Sequence, residues 1–217
     1  MQALREIAEL SSALGVPVHD VEQIRLLPDS NPRDQEYLFE AAAMLGAGYA
    51  LIFADDPDQD RLAERLHLLD QLGRPYRVRP VMELMPFTAV KTLTQMLDLL
   101  GRADLEHPAL LIDTLHLARS GAQPSDLDAI DPALLPFVHL ADGPIPGPET
   151  PQGLREEATF SRLLPGHGNL PLEAYLERLP DSIPLALEVP GASMGTTFER
   201  AAAAAAATRE LLAAMGG

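Results

Sequence analysis

The chain has 217 residues, 47% of them hydrophobic and none cysteine, and its 32 acidic against 16 basic residues give a formal charge of −16. That length suits one large α/β domain or two small ones, and the lack of cysteine excludes disulfides and thiolate metal sites. The charge repels a phosphate backbone and argues against nucleic-acid binding. No apolar run approaches the ~20 residues that span a bilayer. Residues 1–6 lack the charged end and apolar centre of a signal peptide, so a cytoplasmic protein is expected.

Leu4, Ile7, Ala8, Leu10 and Leu14 recur near helical spacing and predict an amphipathic helix over 2–14, stopped by Gly15. A strand is expected over 16–22, a loop over 28–32 and a helix over 34–45 stopped by Gly46. Residues 49–54 read as a buried strand, 55–60 as an acidic loop and 61–72 as a helix ended by Gly73. A third strand over 78–82 is closed by Glu83, and a helix over 88–100 by Gly101. The unbroken apolar run 109–112 reads as a strand buried on both faces. It ends abruptly in Asp113, and His116 follows three residues later. Asp113 also suits the cap of a following helix.

A short helix is expected over 125–130 with Ser125 as its cap, then a fifth strand over 137–142. The stretch 143–153 reads as a long loop rich in Pro and Gly, of a length that usually carries function. A helix over 172–179, a sixth strand over 185–189 and an alanine-rich helix over 198–215 complete the chain. Strand alternates with helix throughout, so a parallel sheet with helices packed outside it is expected, as one domain over 1–217. No strand leads into G-x-G-x-x-G and no P-loop is present, which removes the dinucleotide and nucleotide folds.

The strand ends share a feature. Glu22, Glu83, Asp113, His139 and Glu188 each fall at or just past the end of a different expected strand. In a parallel barrel those ends converge on one mouth. Glu83, Asp113, His139 and Glu188 supply three carboxylates and one imidazole, a set suited to Mn, Mg, Co or Zn. Without a cation, three carboxylates would repel one another.

The ordered set Glu83-Leu84-Met85-Pro86-Phe87, Asp113-Thr114-Leu115-His116, Val138-His139-Leu140-Ala141-Asp142, Arg162-Leu163-Leu164-Pro165-Gly166 and Leu187-Glu188-Val189 resembles the xylose isomerase-like TIM-barrel superfamily. Within it the chain is similar to the sugar phosphate isomerase/epimerase group, and Val18-His19-Asp20-Val21-Glu22 fits as well. The resemblance implies that Glu83, Asp113, His139 and Glu188 are metal ligands. It implies that Glu83 and Glu188 are also the two acid/base groups, one on each face of the substrate. His116 and Arg162 would bind substrate oxygens, and Gly166 and Gly168 would shape the adjoining loop; Glu22 either touches substrate or closes the barrel mouth. The implied reaction removes a proton beside a carbonyl through a metal-stabilised enediolate, giving isomerisation or epimerisation of a sugar or sugar phosphate.

The chain departs from that family in strand number. Six strands are expected where the (β/α)8 barrel has eight, so an incomplete barrel lacking the first two strands is expected. Its unpaired edges would leave either an open fragment or a homodimer that closes the gap. Two other readings compete. A dehydratase of an inosose or dehydroshikimate-like ring would use the same residues, and a binding-only relative would take a ligand without exchanging its protons.

Overall fold

The computed structural model describes residues 2–190 and 195–216, which fall into two compact units. In the first, β1 (Asp20–Leu26), β2 (Tyr49–Ala54) and β3 (Arg79–Glu83) run parallel, in that order. Asp20 lies opposite Tyr49 and Phe53 opposite Glu83, so Glu83 closes its strand and is only 3% exposed. Helix α2 (Glu36–Leu45) buries Phe39 and Ala42. Helix α3 (Gln59–Gly73) buries Leu62, Ala63, Leu66 and Leu69, the stripe expected of a helix lying on a core. Its N-cap is Asp58, whose side chain accepts from the Arg61 amide. Helix α1 (Gln2–Leu14) buries none of its residues and leaves Ile7, Leu10 and Leu14 exposed. Most of α4 (Leu93–Arg102) belongs to this unit, with Met96 and Leu99 fully buried.

The second unit holds the rest of β4 (Leu110–Asp113), with β5 (Val138–Leu140) and β6 (Leu185–Leu187), again parallel in chain order. Asp113 is in register with His139, and His139 with Ala186. The Thr114 hydroxyl donates to the Ala141 carbonyl (2.7 Å) and accepts from the Ala141 amide (3.0 Å), fastening the end of β4 to the end of β5. The helices are α5 (Thr114–Arg119), α6 (Pro151–Phe160), α7 (Leu172–Leu176) and α8 (Thr197–Met215). The last begins with a capping box between Thr196 and Glu199 and buries only Ala204, Ala207 and Thr208. Among the described residues no helix is long and apolar enough to cross a membrane.

Six strands are present among the described residues, as expected, and several boundaries move. The first strand is Asp20–Leu26, not 16–22, because Val16 and Pro17 stay exposed while Ile24 and Leu26 are buried. Glu22 is therefore an exposed residue inside β1 rather than one at its end. Gly101 lies within α4 and does not stop it. Gly73 has φ −74°, and a Cβ there would stand 2.3 Å from the Val78 carbonyl oxygen, so this glycine serves close approach. The stretch expected as a helix over 125–130 is a 3-10 turn over Pro124–Ala129 with Gln123 as its cap. Helix α6 was not expected; Thr150 as N-cap followed by Pro151 at the first helical position was its signal.

Candidate active site

Asp113, His116, His139, Arg162 and Glu188 meet at the strand ends of the second unit. Asp113 ends β4 and caps α5, its Oδ1 accepting from the His116 amide at 2.8 Å. Both readings of this residue therefore hold: it is a helix cap and a strand-end carboxylate. Its Oδ2 accepts from Arg162 Nη1. His139 sits in the middle of β5 and its Nδ1 lies 2.9 Å from Glu188 Oε2. That oxygen also faces Arg162 Nη2 at 3.1 Å. Glu188 follows the last residue of β6 and is tied there by its amide, which donates to the Leu140 carbonyl. One ligand-type atom from each of Asp113, His139 and Glu188 lies within 4.8 Å of the others.

Arg162 is the least expected member. Its side chain is 2% exposed, and Nε donates to the Ala158 carbonyl at the end of α6. Nη2 also approaches His116 Nε2 at 3.4 Å, so that nitrogen acts as the acceptor. The resemblance makes Arg162 a contact for substrate oxygens; the geometry spends most of its N–H groups on protein. His116 is enclosed, with the Phe87 ring edge-on at 5.6 Å, and the Arg155 guanidinium carbon lies 4.7 Å from the centre of that same Phe87 ring.

The electrostatics follow from burial and Arg162. Burial alone would raise the Asp113 carboxyl, but the guanidinium and the His116 amide hold it far below the usual carboxylate range. Desolvation moves Glu188 the other way, above its ordinary value, against the opposing hydrogen bond from His139. Burial also pushes His116 down to about 4, with Arg162 adding to the effect, so this imidazole is neutral at pH 7. A low-lying and a raised carboxyl side by side are what proton-transfer sites contain.

Asp142 has a task of its own that the sequence does not announce. It is 1% exposed, and its carboxylate accepts four backbone amides: Gly143 and Leu170 on Oδ1, Gly166 and Gly168 on Oδ2, at 2.8–3.1 Å. Its own backbone pairs with Leu163, next to Arg162. The sequence signal was an aspartate at a strand end, followed at a distance by Gly166-x-Gly168. Of the expected site residues in the first unit, Glu83 ends β3, buried, and Glu22 lies within β1.

The family model for the xylose isomerase-like TIM barrel matches residues 2–215. The chain belongs to that family. No curated protein matches the sequence. A xylose isomerase-like TIM barrel/4-hydroxyphenylpyruvate dioxygenase fusion protein is 22% identical, with a TM-score of 0.81 over 96% of this chain and 35% of that one. The chain thus spans about a third of that fusion protein. An IolI protein with a bound zinc atom is 18% identical, with a TM-score of 0.82 over 98% of this chain and 82% of that one. An L-ribulose 3-epimerase is 14% identical, with a TM-score of 0.71 over 98% and 80%. Other solved neighbours at 13–15% identity are described as D-psicose 3-epimerases and as a probable 3-DHS dehydratase from Bacillus anthracis. Identities this low support the barrel fold and leave the reaction open.

Proposed function

We propose that this xylose isomerase-like chain is a divalent-metal-dependent isomerase or epimerase of a sugar or sugar phosphate. The observation that carries the reading is the convergence of Asp113, His139 and Glu188 in the second unit. Two carboxylates and an imidazole fit Mn, Mg, Co or Zn, and the zinc-bound IolI neighbour is in keeping with that class. Glu83, buried at the end of β3, is the proposed fourth ligand. The metal's contribution is Lewis-acid polarisation of a substrate carbonyl.

The chain's own residues do the rest. Glu188, whose carboxyl is raised, takes or returns a proton on the carbon beside the carbonyl, and Glu83 is the second acid/base group. His116, neutral and fixed by Arg162 and Phe87, offers a hydrogen bond to a substrate oxygen without adding charge. Arg162, held beside Asp113 and Glu188, is the proposed contact for a second substrate oxygen. Glu22, exposed on β1, is a further candidate contact. A dehydratase is the second reading, favoured by the probable 3-DHS dehydratase among the neighbours, since loss of water also starts with proton removal beside a carbonyl.

The test is thermal stability with and without excess Mn²⁺, for the parent and for Glu188→Gln. A ligand that binds only the folded state raises stability by mass action. A rise in the parent that shrinks in the variant supports the metal site. Incubation with ketoses and their phosphates in D₂O follows: deuterium uptake without loss of water supports isomerase or epimerase, and loss of water the dehydratase. A stable parent that neither responds to metal nor exchanges protons is a binding-only relative.

A further inference from the structure

Resting on the metal reading, we propose that Arg162 is a resident counter-cation of the site, one that competes with the metal for Asp113 and Glu188 and so sets its affinity. The guanidinium reaches both carboxylates at once: Nη1 meets Asp113 Oδ2, and Nη2 meets Glu188 Oε2 at 3.1 Å. With His139 they are the second-unit residues whose ligand atoms converge within 4.8 Å. Glu188 Oε2 already faces both His139 and Arg162. Asp113 has one hydrogen bond on each oxygen.

Arg162 cannot easily move aside. Its side chain is 2% exposed, and Nε is held by the Ala158 carbonyl. The residue after it, Leu163, pairs with Asp142 through both backbone hydrogen bonds. An arginine stays charged under all ordinary conditions. A divalent ion entering beside it therefore meets a fixed positive charge at short range, in a medium that screens poorly. The same charge keeps Asp113 ionised and both carboxylates aimed at one point. Arg162 is thus a positioning residue that acts through the ligands, orienting them at a cost in affinity.

The experiment is Mn²⁺ titration by calorimetry on the full chain, comparing the parent with Arg162→Met and Arg162→Lys, together with melting curves in EDTA. Arg162→Met is expected to bind Mn²⁺ on the order of tenfold tighter than the parent, because a like charge at this range is removed. It is also expected to melt lower in EDTA, because two carboxylates lose their partner. Arg162→Lys keeps the charge and is expected to bind like the parent; it carries the test if the methionine variant does not fold, since an affinity tenfold above or below the parent would then contradict the proposal. Unchanged or weaker binding by a folded Arg162→Met overturns the counter-cation role and leaves the metal reading standing. Absence of Mn²⁺ binding by the parent and both variants overturns both.

Discussion

The Asp142 carboxylate stands where a side chain on Gly168 would have to go: a Cβ on that glycine would lie 2.3 Å from Asp142 Oδ1 and 2.5 Å from the Gly143 carbonyl oxygen. The pair explains why the loop after Arg162 needs glycine at this position. Gly168 is there for space, so that its amide can reach the carboxylate at 2.9 Å. Replacing Gly168 by Ala is expected to destabilise the fold by about 1–3 kcal/mol, the usual cost of overpacking. Urea unfolding would show it, and an Ala variant as stable as the parent would mean the loop has another way to close.

Asp142→Asn keeps the shape of the side chain and turns one acceptor atom into a donor. Two of the four amides then lose their partner, at about 1–3 kcal/mol for buried groups left unsatisfied. Hydrogen exchange should quicken at Leu170, Gly166 and Gly168 and hardly change in β5. Uniform protection in the variant would contradict the view that this carboxylate organises the loop.

His116 predicts a pH dependence with a definite sign. Its folded value is lowered from 6.5 to about 4, so between those values the unfolded chain binds a proton that the folded protein refuses. Stability from this group is therefore full above the unfolded value and is lost as pH falls toward 4. Asp113, also lowered, adds its own loss only below about pH 4, near the ordinary carboxylate value. Urea midpoints at pH 7, 5.5 and 4.5 should fall in the parent, with a visibly shallower slope in His116→Asn. Equal slopes would show that His116 carries its proton in the folded state.

Arg119 and Glu157 form another enclosed ion pair, with two hydrogen bonds at 2.6 and 2.7 Å, while Arg119 also holds the Pro144 carbonyl. Removing one partner leaves the other charge buried, at about 3–5 kcal/mol. Arg119→Met with Glu157→Met should recover part of that loss relative to either single change. Additive effects in the double-mutant cycle would show that each residue acts alone.

Most of the fold was legible because its central strands are plain apolar runs. Residues 49–54 and 110–112 are buried nearly throughout, and no polar residue interrupts them. The first strand was misplaced for the opposite reason. It has one neighbour strand in its unit, its register shifts between Val21 and Ile24, and only Ile24 and Leu26 on either side of the exposed Arg25 are buried, so its apolar signal is short, while Val16 and Val18 supply a stronger apolar pattern upstream. At the site, Asp113 and His139 could be read because a polar residue ending or interrupting a buried strand is costly without a purpose. The partners of Arg162 could not be read. Asp113 and Glu188 are far from it along the chain, and no local pattern says which carboxylate a distant guanidinium will find.

The C-terminal helix is held by its own composition and caps more than by the core. Helix α8 contributes two alanines and a threonine to the interior, while Phe198 is 81% exposed. It is helical because alanine favours the helix and because Thr196 and Glu199 cap it, rather than because burial holds it down. A segment of this kind can detach without unfolding itself. Helix α8 would then form a separate low-energy opening unit, exchanging its amides by excursions far cheaper than global unfolding.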